Sequence, residues 1–269
     1  MITVGVDLAS QPKKTALCAI EWAQPQHPLV TYLTTGATDE LITEIAADAD
    51  RIAIDSPFGW PIGFADFLAA HQRLERFDLD QPPANDIWFR QTDREIMKFK
   101  QPLSVAAEKL GRTAYRCARL LQRLEDAGVM VDRSGATGRV IETYPGAVLA
   151  SRGWTQPYKG PANAAARRII ADAFCTAHNL HAAPEMVTDA HGSLVQCLTQ
   201  SDDHLDSLIC ALVARADAIG QTSRKLSPDD ALVPQARVEG WIHVPTDAAW
   251  PILNSGLVPS ASSEAPRSL

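Results

Sequence analysis

Apolar positions along the first third of the chain fall into short runs separated by breakers, the pattern of strands joined by turns. Residues 2–6 (ITVGV) form one run that ends at Asp7, and residues 15–22 (TALCAIEW) form a second. The turn-rich SQPKK between them predicts a hairpin. A third run at residues 29–33 (LVTYL) follows the breaker PQHP. Next comes an amphipathic helix that starts at Thr38 or Asp39, with Glu40 at its positive end and Leu41, Ile42 and Ile45 on one face. Residues 51–55 (RIAID) then read as a buried strand, stopped at once by SPFGWP. The predicted order is β, β, β, α, β.

After Pro61 the period changes to a long, mainly helical stretch that runs to about Met130 and is interrupted by FDLDQPPAND. It reads as an insertion. A strand returns at residues 139–144 (RVIETY), followed by a helix over about 163–178. A further helix over 202–219 carries Leu205, Leu208, Ile209, Leu212 and Val213 as its apolar face. The core is expected to end near residues 241–244 (WIHV). One α/β domain is therefore expected over residues 1–252, with its helical insertion at about 61–130 and a Ser- and Pro-rich, disordered tail over 253–269.

With 269 residues, 46% hydrophobic and 21% charged, the composition is that of a globular protein of enzyme size. No stretch approaches the roughly 20 apolar residues that a membrane helix needs, so no membrane partner is expected. Asp7 precedes every basic residue, which is wrong for a signal peptide, and the expected location is cytoplasmic. Five cysteines without a CxxC pair exclude a zinc ribbon and a disulfide framework. A net charge of −7 excludes a surface that is basic throughout, while leaving room for a local basic patch.

The acidic residues change the picture. Asp7 and Asp55 each end a predicted buried strand, where a lone carboxylate is costly unless it is paired or binds a cation. Asp203 and Asp206 lie three apart on the late helix, on one face a turn apart. A divalent cation would relieve their repulsion, and an all-oxygen set suits Mg²⁺ or Mn²⁺ rather than zinc. Each acid also has an ordinary reading as a turn or cap residue. Glu142, inside the RVIETY strand, is a further candidate, with solvent exposure on an edge or a bond to a backbone amide as its alternatives.

The segments GVDLAS, IAIDSPFGWP, VIETYPGA, DDHLDSLICALVARA and EGWIHVP together resemble domain-of-unknown-function family 429, described as predicted nucleases of the RNase H fold. More distantly, the order of acids is similar to that of the RuvC group of Holliday-junction resolvases. The resemblance implies an RNase H-like mixed five-stranded sheet flanked by helices. It implies metal ligation by Asp7, Asp55, Asp203 and Asp206, with Glu142 helping to fill the site. It also implies phosphodiester hydrolysis by two Mg²⁺ or Mn²⁺ ions about 4 Å apart. His204, between the paired acids, points away from both on a helix and is expected at the surface.

Nucleic acid, of unspecified type, is the partner this reading expects. From Arg90 to Arg123 nine basic residues face three acids, against the overall negative balance. Arg112, Arg116, Arg119 and Arg123 recur at helical spacing, a ladder able to grip phosphates, with Trp88, Phe89 or Tyr115 as stacking partners. The alternative is the solvated face of an amphipathic helix. Arg90 and Arg94, in RQTDR, form a second cluster that faces either the cleft or a structural carboxylate such as Asp93.

Two other classes compete. Actin-like kinases also open on a first-strand GxD turn, but they add a duplicated core and Gly-rich phosphate turns that this chain lacks. A noncatalytic member that binds nucleic acid or protein is the other alternative. A serine hydrolase is disfavoured by the lack of a GxSxG elbow, and HNLH at 178–181 lacks partners for zinc.

Overall fold

The computed structural model describes residues 1–23, 27–75, 87–106, 108–190, 192–223, 225–246, 250 and 253. The expected loop at 77–86, and the expected tail apart from Leu253, lie outside the described residues.

The five expected strands are β1 (Ile2–Asp7), β2 (Ala16–Glu21), β3 (Leu29–Thr35), β4 (Arg51–Asp55) and β5 (Val140–Thr143). They stand in the order β3-β2-β1-β4-β5. Three more, β6 (His181–Thr188), β7 (Thr222–Ser223) and β8 (Ile242–Pro245), extend it among the described residues to a mixed sheet of eight, β6-β3-β2-β1-β4-β5-β8-β7, which corrects the expected five. Of these, β6 and β7 form the two edges and β8 lies between β5 and β7. Most β6 side chains are exposed and Pro184 interrupts it, so no apolar alternation marks it, and β7 has only two residues. β1 runs antiparallel to β2 and parallel to β4, and β4, β5 and β8 continue in parallel. Central strands buried on both faces read as continuous apolar runs, which is why β1 and β4 were legible.

One face of the sheet is covered by α1 (Asp39–Ala47) and α4 (Glu108–Asp126). Thr38 caps α1 by accepting from the Leu41 backbone N–H at 3.2 Å. Cys117, Leu120 and Leu124 of α4 pack with Ile42 of α1 against Val4, Val6, Ile52 and Ile54. Parallel strands need a crossover, and α4 lies in the one between β4 and β5. The last helix of the stretch read as an insertion is thus part of the core, whereas α2 (Ile62–Gln72) and α3 (Gln91–Ile96) precede it.

The opposite face carries α8 (Asp202–Ala218), laid across β1, β2 and β4 and overlaid by α5 (Pro145–Ser151), α6 (Ala164–Ala177) and α7 (Leu194–Gln200). Held between two layers, α8 is buried at every residue from 204 to 214, more than its one-sided apolar pattern predicts. Gly5 lets it come close, since a Cβ there would overlap the Ser207 carbonyl oxygen and the Ala211 backbone nitrogen. Beyond α9 (Val233–Glu239) and β8, Trp250 and Leu253 are buried in the same layer, so the core continues past the expected limit at 241–244. Among the described residues no helix is long and apolar enough to cross a membrane.

Candidate carboxylate site

Asp7 and Asp55 are the last residues of β1 and β4 and are paired in register. Side chains alternate along a strand, so both acids share the face of Gly5 and Ala53, the face that α8 covers. Asp206 stands on α8 beside Ser207, at the close approach that Gly5 permits. One oxygen from each of Asp7, Asp55 and Asp206 lies within 4.8 Å of the others. The helix–strand contact therefore brings together acids almost 200 residues apart in sequence.

This proximity is electrostatically expensive. Burial, then the charges of Asp206 and Asp55, hold the Asp7 carboxyl well above its ordinary range. Burial raises Asp55 to about 7 against the opposing pull of Lys159. Asp206, fully buried, is raised for the same leading reason. The Lys159 ammonium, 2.6 Å from Asp206 Oδ2, offsets part of the repulsion. Asp206, Asp55 and Asp7 hold that ammonium above its usual range, against the partial desolvation of its site. Tyr158 donates to Asp206 Oδ1 at 2.9 Å. Sequence reasoning missed Tyr158 and Lys159, which sit in a loop before Gly160 with no periodicity to single them out.

The other candidate acids are placed differently. Asp203 is half-buried one turn earlier on α8 and lies outside the triad. Burial and Asp202 raise its carboxyl, while Lys14 and Lys159 pull it down. Glu142 pairs in register with Ile54, not Asp55, and so takes the opposite face of the sheet. There it accepts from the Phe58 backbone N–H at 3.0 Å and from both terminal nitrogens of Arg90, at 2.7 and 2.9 Å. Glu142 lines the same cavity as Asp7 and Asp55 but is engaged by Arg90 and lies outside the triad, which corrects the expectation that it helps to fill the metal site. His204 is buried rather than at the surface, its Nε2 2.9 Å from Asp189.

The basic residues divide in the same way. Arg90 is 2% exposed and is held by Asp93, Glu142 and the Glu239 carbonyl, so it is a structural ion-pair centre rather than a phosphate contact. Arg94 is half-buried and donates to the Phe89 carbonyl and to Gln91. Arg116 is buried too, which corrects its place in the ladder. Its guanidinium donates to the Ala9 carbonyl at 2.7 Å, Thr15 Oγ1 at 2.6 Å and Asp39 at 2.6 Å, tying α4 to the β1–β2 turn and to α1. Arg123 is exposed and pairs with Glu40 at 2.8 Å. Arg112 and Arg119 are exposed beside Tyr115.

Above the carboxylates opens a cavity of about 580 Å³, with Asp7 and Asp55 at its floor. Leu103, Leu110, Tyr144, Pro157 and Tyr158 contribute apolar and aromatic wall. Three clustered carboxylates, all raised by burial, with repulsion from the other acids adding at Asp7 and Asp55, fit a divalent cation, and their oxygen-only character fits Mg²⁺ or Mn²⁺. A family model described as "Protein of unknown function (DUF429)" matches residues 5–231. No curated protein and no solved structure matches the chain.

Proposed function

The chain belongs to the DUF429 family, and we propose that it is a divalent-metal-dependent nuclease that hydrolyses phosphodiester bonds. The observation that carries this reading is the convergence of Asp7, Asp55 and Asp206 within 4.8 Å at the ends of two adjacent parallel strands and on the helix across them. The strand order β3-β2-β1-β4-β5, with β2 antiparallel, supports an RNase H-like core.

Asp7, Asp55 and Asp206 would hold Mg²⁺ or Mn²⁺, with Asp203 one turn away on α8 as the acid on which a second ion would draw. Such ions, when bound, supply Lewis acidity toward phosphoryl oxygens and lower the pKa of a hydrolytic water. The protein's own groups do the rest. Tyr158 fixes the Asp206 carboxylate, and Lys159 balances charge in the site and is exposed enough to turn toward a phosphate. Exposed Arg112 and Arg119, with Tyr115 between them, would engage the nucleic-acid backbone outside the cleft.

The test is cleavage of a panel of single-stranded, duplex, hybrid and branched nucleic acids with Mg²⁺ or Mn²⁺, by wild type and by Asp7→Asn. Activity that the substitution abolishes supports the reading. No cleavage of any substrate, or equal cleavage by the variant, overturns it. A second reading, a noncatalytic binding member of the fold, is favoured by one observation, the Lys159 ammonium already partnering Asp206. It predicts nucleic-acid binding that needs no divalent ion.

A further inference from the structure

The floor of the 580 Å³ cavity is acidic, but most of its wall is not. Leu103, Leu110 and Pro157 present aliphatic surface, and Tyr144 lays its ring against Gly146, where a Cβ would come within 3.0 Å of the ring. That ring lines the same cavity as Asp7 and Asp55. Lys100 and Lys159 bring cations to the same lining. A cation-binding floor, a flat aromatic side and an aliphatic side are complementary to a phosphate, a sugar and a base.

The shape narrows the substrate further. Arg90, Asp93 and Glu142 line the cavity on one side, each 2% exposed or less and locked together by charge-assisted hydrogen bonds. Such a network does not part to let a polymer through, so the cavity is blind on that side. Its volume lies in the range of about 300–1,000 Å³ typical of sites for one small molecule. Past Arg90, Asp93 and Glu142 a continuous strand has no exit.

Resting on the nuclease reading, we infer that the cavity receives the single terminal nucleotide of a strand and that the protein releases nucleotides from an end. In that reaction the oxygen of water bonds to phosphorus and gives up one proton to solvent, the ester P–O bond to the neighbouring sugar breaks, and the departing oxygen takes up a proton from solvent. Arg112, Tyr115 and Arg119, on the far side of α4 from Leu110 and Thr113, then serve the part of the strand still outside.

The test compares a linear oligonucleotide with a covalently closed circle of the same sequence in Mn²⁺, and measures 5′-dTMP, inorganic phosphate and Mn²⁺ binding by calorimetry. Mononucleotides should appear from the linear strand while the circle resists. In Mn²⁺, 5′-dTMP should bind about tenfold to a hundredfold more tightly than phosphate, the gain expected from seating one base. Leu110→Trp, which fills the cavity from α4, should remove that preference and raise KM with Mn²⁺ affinity unchanged. Cleavage of the circle at the rate of the linear strand, equal binding of phosphate and 5′-dTMP, or an unaffected Leu110→Trp variant would overturn the inference and leave the nuclease reading standing. Failure of the wild type to bind Mn²⁺ or to cleave either substrate overturns both.

Discussion

Arg90 grips Glu142 with both terminal nitrogens, at 2.7 and 2.9 Å, and holds it on the face of the sheet away from Asp7 and Asp55. The same guanidinium is bound by Asp93 and by the Glu239 carbonyl. Glu239 in turn accepts from the backbone N–H groups of Ile62 and Gln91, so the cluster joins α2, α3, β5 and α9. Arg90→Met is expected to destabilise the protein by about 3–5 kcal/mol, because two buried carboxylates lose their counter-charge. Arg90→Lys should recover little, since an ammonium cannot reproduce the two-sided fork. Urea unfolding decides the matter, and a loss under about 1 kcal/mol would mean that the cluster is not a structural anchor.

The carboxylate triad predicts an inverted pH dependence for the metal-free protein. Asp55 titrates near 7 in the folded state, against about 3.9 unfolded. The folded chain therefore holds the proton more tightly, and its stability falls as pH rises from about 4 through 7. Asp55→Asn should raise the melting temperature at pH 8 by several degrees and leave it nearly unchanged at pH 4. Mn²⁺ should stabilise wild type at pH 8 and have little effect on the variant. Thermal scans at the two pH values, with and without the ion, check both statements.

Arginines on one helix should behave oppositely. Arg112→Gln with Arg119→Gln should weaken nucleic-acid binding and lower its salt slope by about one to two phosphate contacts, without loss of stability. Arg116→Gln should cost about 2–4 kcal/mol of stability, because it orphans the Ala9 carbonyl and Asp39. Binding titrations at several salt concentrations, paired with denaturation, separate the two classes. An unchanged salt slope in the double variant would reduce those arginines to solvated surface.

His178 supplies an acid-side contrast. Burial between Phe174 and Trp250 lowers its imidazole to about 4. A base whose folded value is depressed contributes its stability above the unfolded value of about 6.5 and loses it as pH falls from there toward 4. His178→Leu should flatten the decline in stability between pH 6.5 and 4 by on the order of 2 kcal/mol. Equal slopes for both proteins would show that another group causes acid lability.

The sequence made some of this legible for a physical reason. Asp7 and Asp55 announce themselves because apolar strands end on them, and the strand period then fixes their faces relative to their own neighbours. That period does not relate one strand to another. Glu142 joined the candidates because its parity against β4 depends on register, which pairs it with Ile54. Helical spacing put Asp203 and Asp206 on one face, but it is silent on which turn reaches the strand ends. Arg116 shared the spacing of Arg112 and Arg119, and only the arrival of Asp39 and the Ala9 carbonyl from elsewhere turns it inward. Tyr158 and Lys159 belong to a loop, where position owes nothing to periodicity.

The close seat of α8 on Gly5 also has a meaning in time. During synthesis Asp7 leaves the ribosome nearly 200 residues before Asp206, and β1 and β4 can pair long before α8 exists to lie across them. Until then two acids stand without the third, and the nascent chain holds no complete cation site. Contacts between such distant parts of a chain form late and slowly. On the proposed reading, a growing polypeptide would therefore carry no cutting activity of its own until α8 has emerged, and capture of a divalent ion would mark the moment at which α8 has reached the ends of β1 and β4.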